Sequence, residues 1–84
     1  MASVKKLVGK ILDGVSELRQ EEVEKILNHF GYYLTNVTGD HFVYRKDDDP
    51  DLFILLPIKH KKVHKHYLRK LRDFLELEVW YASQ

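Results

Sequence analysis

The chain has 84 residues, and its 14 Lys and Arg against 13 Asp and Glu leave a formal net charge of +1. That is room for one small domain, with no overall charge signal for nucleic acid. Cysteine is absent, which excludes a disulfide framework and a thiolate zinc site and fits a reducing, cytoplasmic setting. With 44% hydrophobic and 32% charged residues and only 4 Gly and 2 Pro, disorder and low-complexity architectures are disfavoured. Met1 to Lys10 holds no apolar leader, and no run reaches the roughly 18 apolar residues of a membrane helix, so no export and no membrane partner are expected.

In chain order, Val4, Leu7, Val8, Ile11 and Leu12 recur at helical spacing. Ser3 stands where an N-cap belongs and Gly14 where a left-handed C-terminal residue belongs, so a first short helix is predicted. Val15 to Gln20 reads as a connection whose Val15 and Leu18 can turn inward. Val23, Ile26, Leu27 and Phe30 form the apolar stripe of a second helix, with Glu21, Glu22 and Glu24 at its positive end and Gly31 as its stop. Tyr32 to Val37 and His41 to Lys46 are rich in aromatic and β-branched residues, and Thr38-Gly39-Asp40 between them predicts a hairpin. Asp47 to Asp51, with Pro50, reads as the next turn, and Leu52 to Leu56 as a buried, central strand ended by Pro57. After a basic connection, Leu68, Leu71, Phe74 and Leu75 mark a third amphipathic helix with Arg69, Lys70 and Arg72 on its wet side. Val79, Trp80 and Tyr81 are too apolar for a free tail and should dock on the domain or on a second copy.

The order helix, helix, strand, strand, strand, helix predicts an α+β fold: a three-stranded antiparallel sheet with helices on one face. A single domain over residues 1–84 is expected, with an N-terminal helix at 3–14, a core at 20–76 and a C-terminal extension at 77–84. Strand alternation sends Phe42 and Tyr44 to one face and His41, Val43 and Arg45 to the other. If the aromatics meet the helices, His41 and Arg45 stand on the open face. Phe30, Phe42, Tyr44, Phe53 and Phe74 are assigned to the core, which leaves Tyr32, Tyr33, Tyr67 and Tyr81 as candidates for stacking on bases.

Three groups of residues bear on chemistry. His41 opens a strand after a glycine turn, anchored yet accessible, as a general acid or base must be, although spacing alone favours an ordinary exposed histidine. Seven of the basic residues (Lys59, Lys61, Lys62, Lys65, Arg69, Lys70 and Arg72) lie between 59 and 72 with no acid among them, while Asp47, Asp48, Asp49 and Asp51 cluster apart, so the molecule should be strongly dipolar. The basic segment reads either as a phosphate cradle or as a solvated charged face. His60 and His64 have the spacing of metal ligands on a helix, but the surrounding lysines oppose a divalent cation and no carboxylate is nearby, so no metal and no cofactor are expected. No Ser or Cys sits in a nucleophile context.

The ordered pieces resemble the HicA family of toxin–antitoxin ribonucleases, small mRNA interferases with a double-stranded-RNA-binding-like fold. The resemblance rests on Lys10-Ile11-Leu12-Asp13-Gly14, the helix from Val23 ending in Phe30-Gly31-Tyr32, Gly39-Asp40-His41 followed by Phe42-Val43-Tyr44-Arg45, and the basic helix Tyr67-Leu68-Arg69-Lys70-Leu71. The family commonly carries Gly-Ser-His or Gly-x-His at the central motif, so the resemblance places the catalytic role on His41, with Asp40 where Ser is usual. It implies a metal-independent endoribonuclease of the cytoplasm, acting on mRNA in a stress response and held by a HicB-type antitoxin. Arg45, Lys59, Lys61, Lys62, Lys65 and Arg69 are then the expected RNA-binding residues. The alternative is a non-catalytic RNA-binding or protein-interaction module of the same fold.

Overall fold

A computed structural model describes residues 3–84; Met1 and Ala2, the start of the expected domain, lie outside the described residues. The elements run α1 (Val4–Leu12), β1 (Glu17–Arg19), α2 (Gln20–His29), β2 (Tyr32–Thr38), β3 (His41–Lys46), β4 (Asp49–Pro57), β5 (Lys62–His64), α3 (Lys65–Phe74) and α4 (Leu77–Ala82). The fold is α+β, with an antiparallel sheet in the order β2-β3-β4 and a separate two-stranded ladder of β1 with β5.

Local chemistry sets the helix ends. The Ser3 side chain accepts from the Lys6 N–H at 3.2 Å, and Glu22 accepts from the Arg19 N–H at 2.9 Å, satisfying donors that a helix start leaves open. Gly14 and Gly31 take φ of +83° and +86° after α1 and α2, a conformation that glycine adopts without a Cβ clash.

The core gathers Leu7, Val8 and Ile11 of α1, Val23, Ile26 and Leu27 of α2, Tyr44, Ile54 and Leu56 of the sheet, and Leu68 and Leu71 of α3. Tyr44 carries its phenol into this apolar interior and donates to Glu24 Oε2 at 2.7 Å; Gln20 Nε2 donates to the same oxygen at 3.2 Å. The bond ties the central strand β3 to α2. It also confirms the strand's alternation: Tyr44 is buried and Phe42 packs against the core, while His41 at the strand's start is exposed.

Several sequence expectations are corrected. Only Asp47 and Asp48 form the turn, and residues 49–51 already belong to β4. The run Leu52 to Leu56 is not central: β3 is, and β4 is an edge strand whose Phe53 and Leu55 are 52% and 50% exposed on the open face. Phe74 is likewise 51% exposed, and Tyr32, assigned to base stacking, is buried. The segment 15–20 holds β1, and the basic connection holds β5. The tail is a helix, α4, that docks on the domain: Trp80 meets His29 and Phe30 edge-on at ring separations of 5.5 and 5.4 Å.

Burial first, and then the bond to Glu24, push the Tyr44 phenol well above its ordinary value of 10.0. As pH rises through that value, the unfolded chain loses a proton that the folded chain keeps, so this contribution is complete below pH 10 and lost above it. Tyr44→Phe should cost about 1.5–3 kcal/mol at neutral pH and flatten the alkaline fall in stability. Urea melts of both proteins across pH 7–11 check this; an equally steep alkaline limb in the variant would assign that fall to other groups.

Candidate functional site

Around the start of β3 lies a groove of about 400 Å³ lined by Asp40, His41, Pro57, Lys59, Lys62, His64 and Tyr67. Four elements build it. His41 opens β3 opposite Pro57 of β4, and the Ile58 N–H donates to the Asp40 carbonyl at 2.8 Å, closing the sheet beyond the end of β4. Tyr67 comes from the first turn of α3.

The ladder of β1 and β5 supplies the remaining wall. Leu18 pairs with Val63 and both are buried, so alternation turns Lys62 and His64 outward together. Flanking bonds, Lys65 N–H to the Ser16 carbonyl at 2.9 Å and Gln20 N–H to the Lys61 carbonyl at 2.8 Å, hold the segment against the preceding chain. Its approach is a two-residue hairpin turn: Lys59 and Lys62 exchange backbone bonds of 3.3 and 2.9 Å across His60 and Lys61, whose φ values are +53° and +60°. Left-handed φ at both central positions is the type I′ pattern, usually made with Asn and Gly.

His41 and both groove lysines have carboxylate neighbours. His41 Nδ1 lies 3.4 Å from Asp40 Oδ1, and Lys59 Nζ lies 3.8 Å from Asp40 Oδ2. Lys62 Nζ lies 3.0 Å from Glu17 Oε2. Asp40 sits in the turn rather than in the strand, which is why it reaches the neighbouring ring. A carboxylate only accepts, so it favours the proton on Nδ1 of His41 and leaves the Nε2 lone pair available. Ion pairs this exposed are weak, so an arriving phosphate can displace the carboxylates from the lysines.

Not every expected residue is here. His41, Lys59 and Lys62 meet in the groove. Lys61 lines a separate cleft of about 210 Å³ with Arg19, Gln20, Glu21 and Glu24. Lys65 and Arg69 are exposed on α3 outside the groove lining. Arg45 stands four residues along β3, donating to the Pro50 carbonyl at 3.2 Å with its guanidinium 5.3 Å from the Phe53 ring centre. His60 and His64 do not share a helix, since one is in the turn and the other ends β5, and among the described residues no three His, Asp or Glu side chains converge on a metal position. Asp40, Pro57 and His64 are groove residues that sequence reasoning left out of the site. The alternation Lys62-Val63-His64 was the available signal for the last of them.

A family model described as the HicA toxin of bacterial toxin–antitoxin matches residues 21–77. The chain belongs to the HicA toxin family. No curated protein and no solved structure matches it. The match contains every groove residue and leaves out α1, β1 and nearly all of α4. As a HicA-family protein the chain is a toxin of a toxin–antitoxin pair, a nuclease of the mRNA interferase kind, with RNA as substrate and an antitoxin as partner. Among the described residues no helix is long and apolar enough to cross a membrane.

The hairpin that carries Lys59 and Lys62 holds two non-glycine residues in a left-handed conformation. Replacing them with the residues this turn prefers, His60→Asn with Lys61→Gly, should raise the unfolding free energy by about 1 kcal/mol. Urea denaturation measures it; an unchanged or lower midpoint would mean that the turn is not of this type.

Proposed function

We propose that the chain is a metal-independent endoribonuclease whose proton carrier is His41. The observation that carries this reading is the groove itself: an accessible imidazole on the first residue of a central strand, its Nδ1 beside a carboxylate, flanked by two ammonium groups. RNA brings its own nucleophile. His41 Nε2 takes the proton of a 2′-hydroxyl, the 2′ oxygen bonds to phosphorus, and the bond to the 5′ oxygen breaks. The leaving oxygen takes a proton from the imidazolium or from water, and the product carries a 2′,3′-cyclic phosphate. Lys59 and Lys62 offset charge on the phosphate as it builds. Lys61, Lys65 and Arg69 on the surfaces beyond the groove contact neighbouring phosphates of single-stranded mRNA in the cytoplasm. A HicB-type antitoxin silences the enzyme by covering the groove, and the positive lining favours a partner surface that presents carboxylates.

Cleavage of single-stranded RNA by the purified toxin should persist in EDTA. His41→Ala should slow it by at least about 10²-fold while leaving the melting temperature nearly unchanged, because the side chain is exposed. Loss of activity in EDTA would overturn metal independence. A variant that cleaves normally would remove His41 from the reaction, and a wild type that binds RNA without cutting it would favour the non-catalytic module.

A further inference from the structure

We propose that His64 is a second substrate-contacting imidazole: a hydrogen-bond donor of fixed tautomer that holds a non-bridging phosphate oxygen of the RNA lying across His41. The inference rests on the reading of the groove as the RNA cleavage site and assigns a residue to that site.

Two independent features of His64 lead there. The first is placement. It lies on the outward face of β5 with Lys62, pairs across the ladder with Glu17, and lines the same groove as His41, Lys59 and Tyr67. The other two histidines of the segment lie outside the groove lining: His60 is in the turn, and His66 rests edge-on against the Tyr67 ring at 5.2 Å. The second feature is protonation. His64 is the N-cap of α3, and its Nδ1 accepts from the His66 backbone N–H at 3.1 Å. A backbone N–H can only donate, so Nδ1 presents its lone pair and the ring proton sits on Nε2. Among the described residues nothing else pairs with that ring, whereas both groove lysines have carboxylate neighbours.

The two imidazoles are therefore complementary. Asp40 favours the proton on Nδ1 of His41, leaving Nε2 to accept, while the cap fixes the proton on Nε2 of His64, leaving it to donate. Phosphoryl transfer needs both, an acceptor for the hydroxyl proton and donors aimed at the oxygens that gain charge. A donor locked by a helix cap needs no reorientation when the substrate arrives.

The test pairs a variant with a spectroscopic readout. Asn is among the best N-cap residues, so His64→Asn should keep α3 capped and the melting temperature within a few degrees of wild type. Its amide oxygen caps the helix, and the shorter side chain does not replace the donor. Cleavage by this variant should fall at least about tenfold. Independently, 15N spectra of the neutral rings in histidine-labelled toxin should show the proton of His64 on Nε2 and that of His41 on Nδ1. Adding a short 2′-O-methyl RNA, which lacks the nucleophile, should shift the His64 Nε2–H signal. Wild-type cleavage by His64→Asn, or a His41 signal that moves with the probe while that of His64 does not, would overturn the proposal. If His64 responds and His41→Ala still cleaves, the phosphate contact stands and the His41 mechanism fails. If neither ring responds, the groove does not bind RNA and both readings fall.

Discussion

The site depends on three residue pairs between β1 and β5. So short a ladder is marginal alone; it holds because Leu18 and Val63, its central pair, are both buried in the domain core. Burying an aliphatic side chain is worth about 1.5–3 kcal/mol, so core packing pins a segment whose other side chains face water. Without this ladder the chain between β4 and α3 would be a loose basic loop. With it, Lys62 and His64 share an outward face, and Lys59 is held at the end of the sheet beside His41.

Charge is distributed along the same frame. His41 at one end of β3 faces Pro57, and Lys46 at the other faces Asp49, so the acidic turn and the basic groove lie at opposite ends of the sheet. Between them the open face carries Tyr33, Phe53 and Leu55, all substantially exposed, with Arg45 over the Phe53 ring. Asp40 has a local role. Where the family commonly has Ser, this chain places a carboxylate beside both the His41 ring and the Lys59 ammonium. A carboxylate only accepts, so it favours the proton on the near ring nitrogen, at some loss of positive charge in the groove.

What the sequence revealed follows from the length scale of each signal. α1 and α2 repeat their apolar residues over several turns and end in glycine, and the strands of the β2–β3 hairpin are rich in aromatic and β-branched residues around Thr38-Gly39-Asp40, so these elements and the open-face position of His41 were legible. β1 and β5 are three residues each, too short for periodicity, and the turn before β5 is built from His60 and Lys61, which carry no turn signal. The apolar run at Leu52 to Leu56 suggested a strand buried on both faces. Ile54 and Leu56 do face the core, while Leu52, Phe53 and Leu55 are exposed. Phe74 fits the helical stripe of α3 but lies at its last residue, where the core no longer covers it. In the sequence His64 reads as a metal-ligand candidate or as one residue of a basic phosphate-holding segment, because the cap and ladder that give it a tautomer and a direction are tertiary features.

In the proposed reaction the protein supplies a proton acceptor and charge while the substrate supplies the nucleophile. This division of roles is tested most directly by mapping the cleavage site on a defined single-stranded RNA and replacing the nucleotide 5′ to the cut with its 2′-deoxy form. This one change should abolish cleavage at that bond with little change in binding, and unmodified RNA should yield a 2′,3′-cyclic phosphate end. Continued cleavage at the deoxy position would show that water, and not the 2′-hydroxyl, attacks phosphorus, and would rule this reaction out.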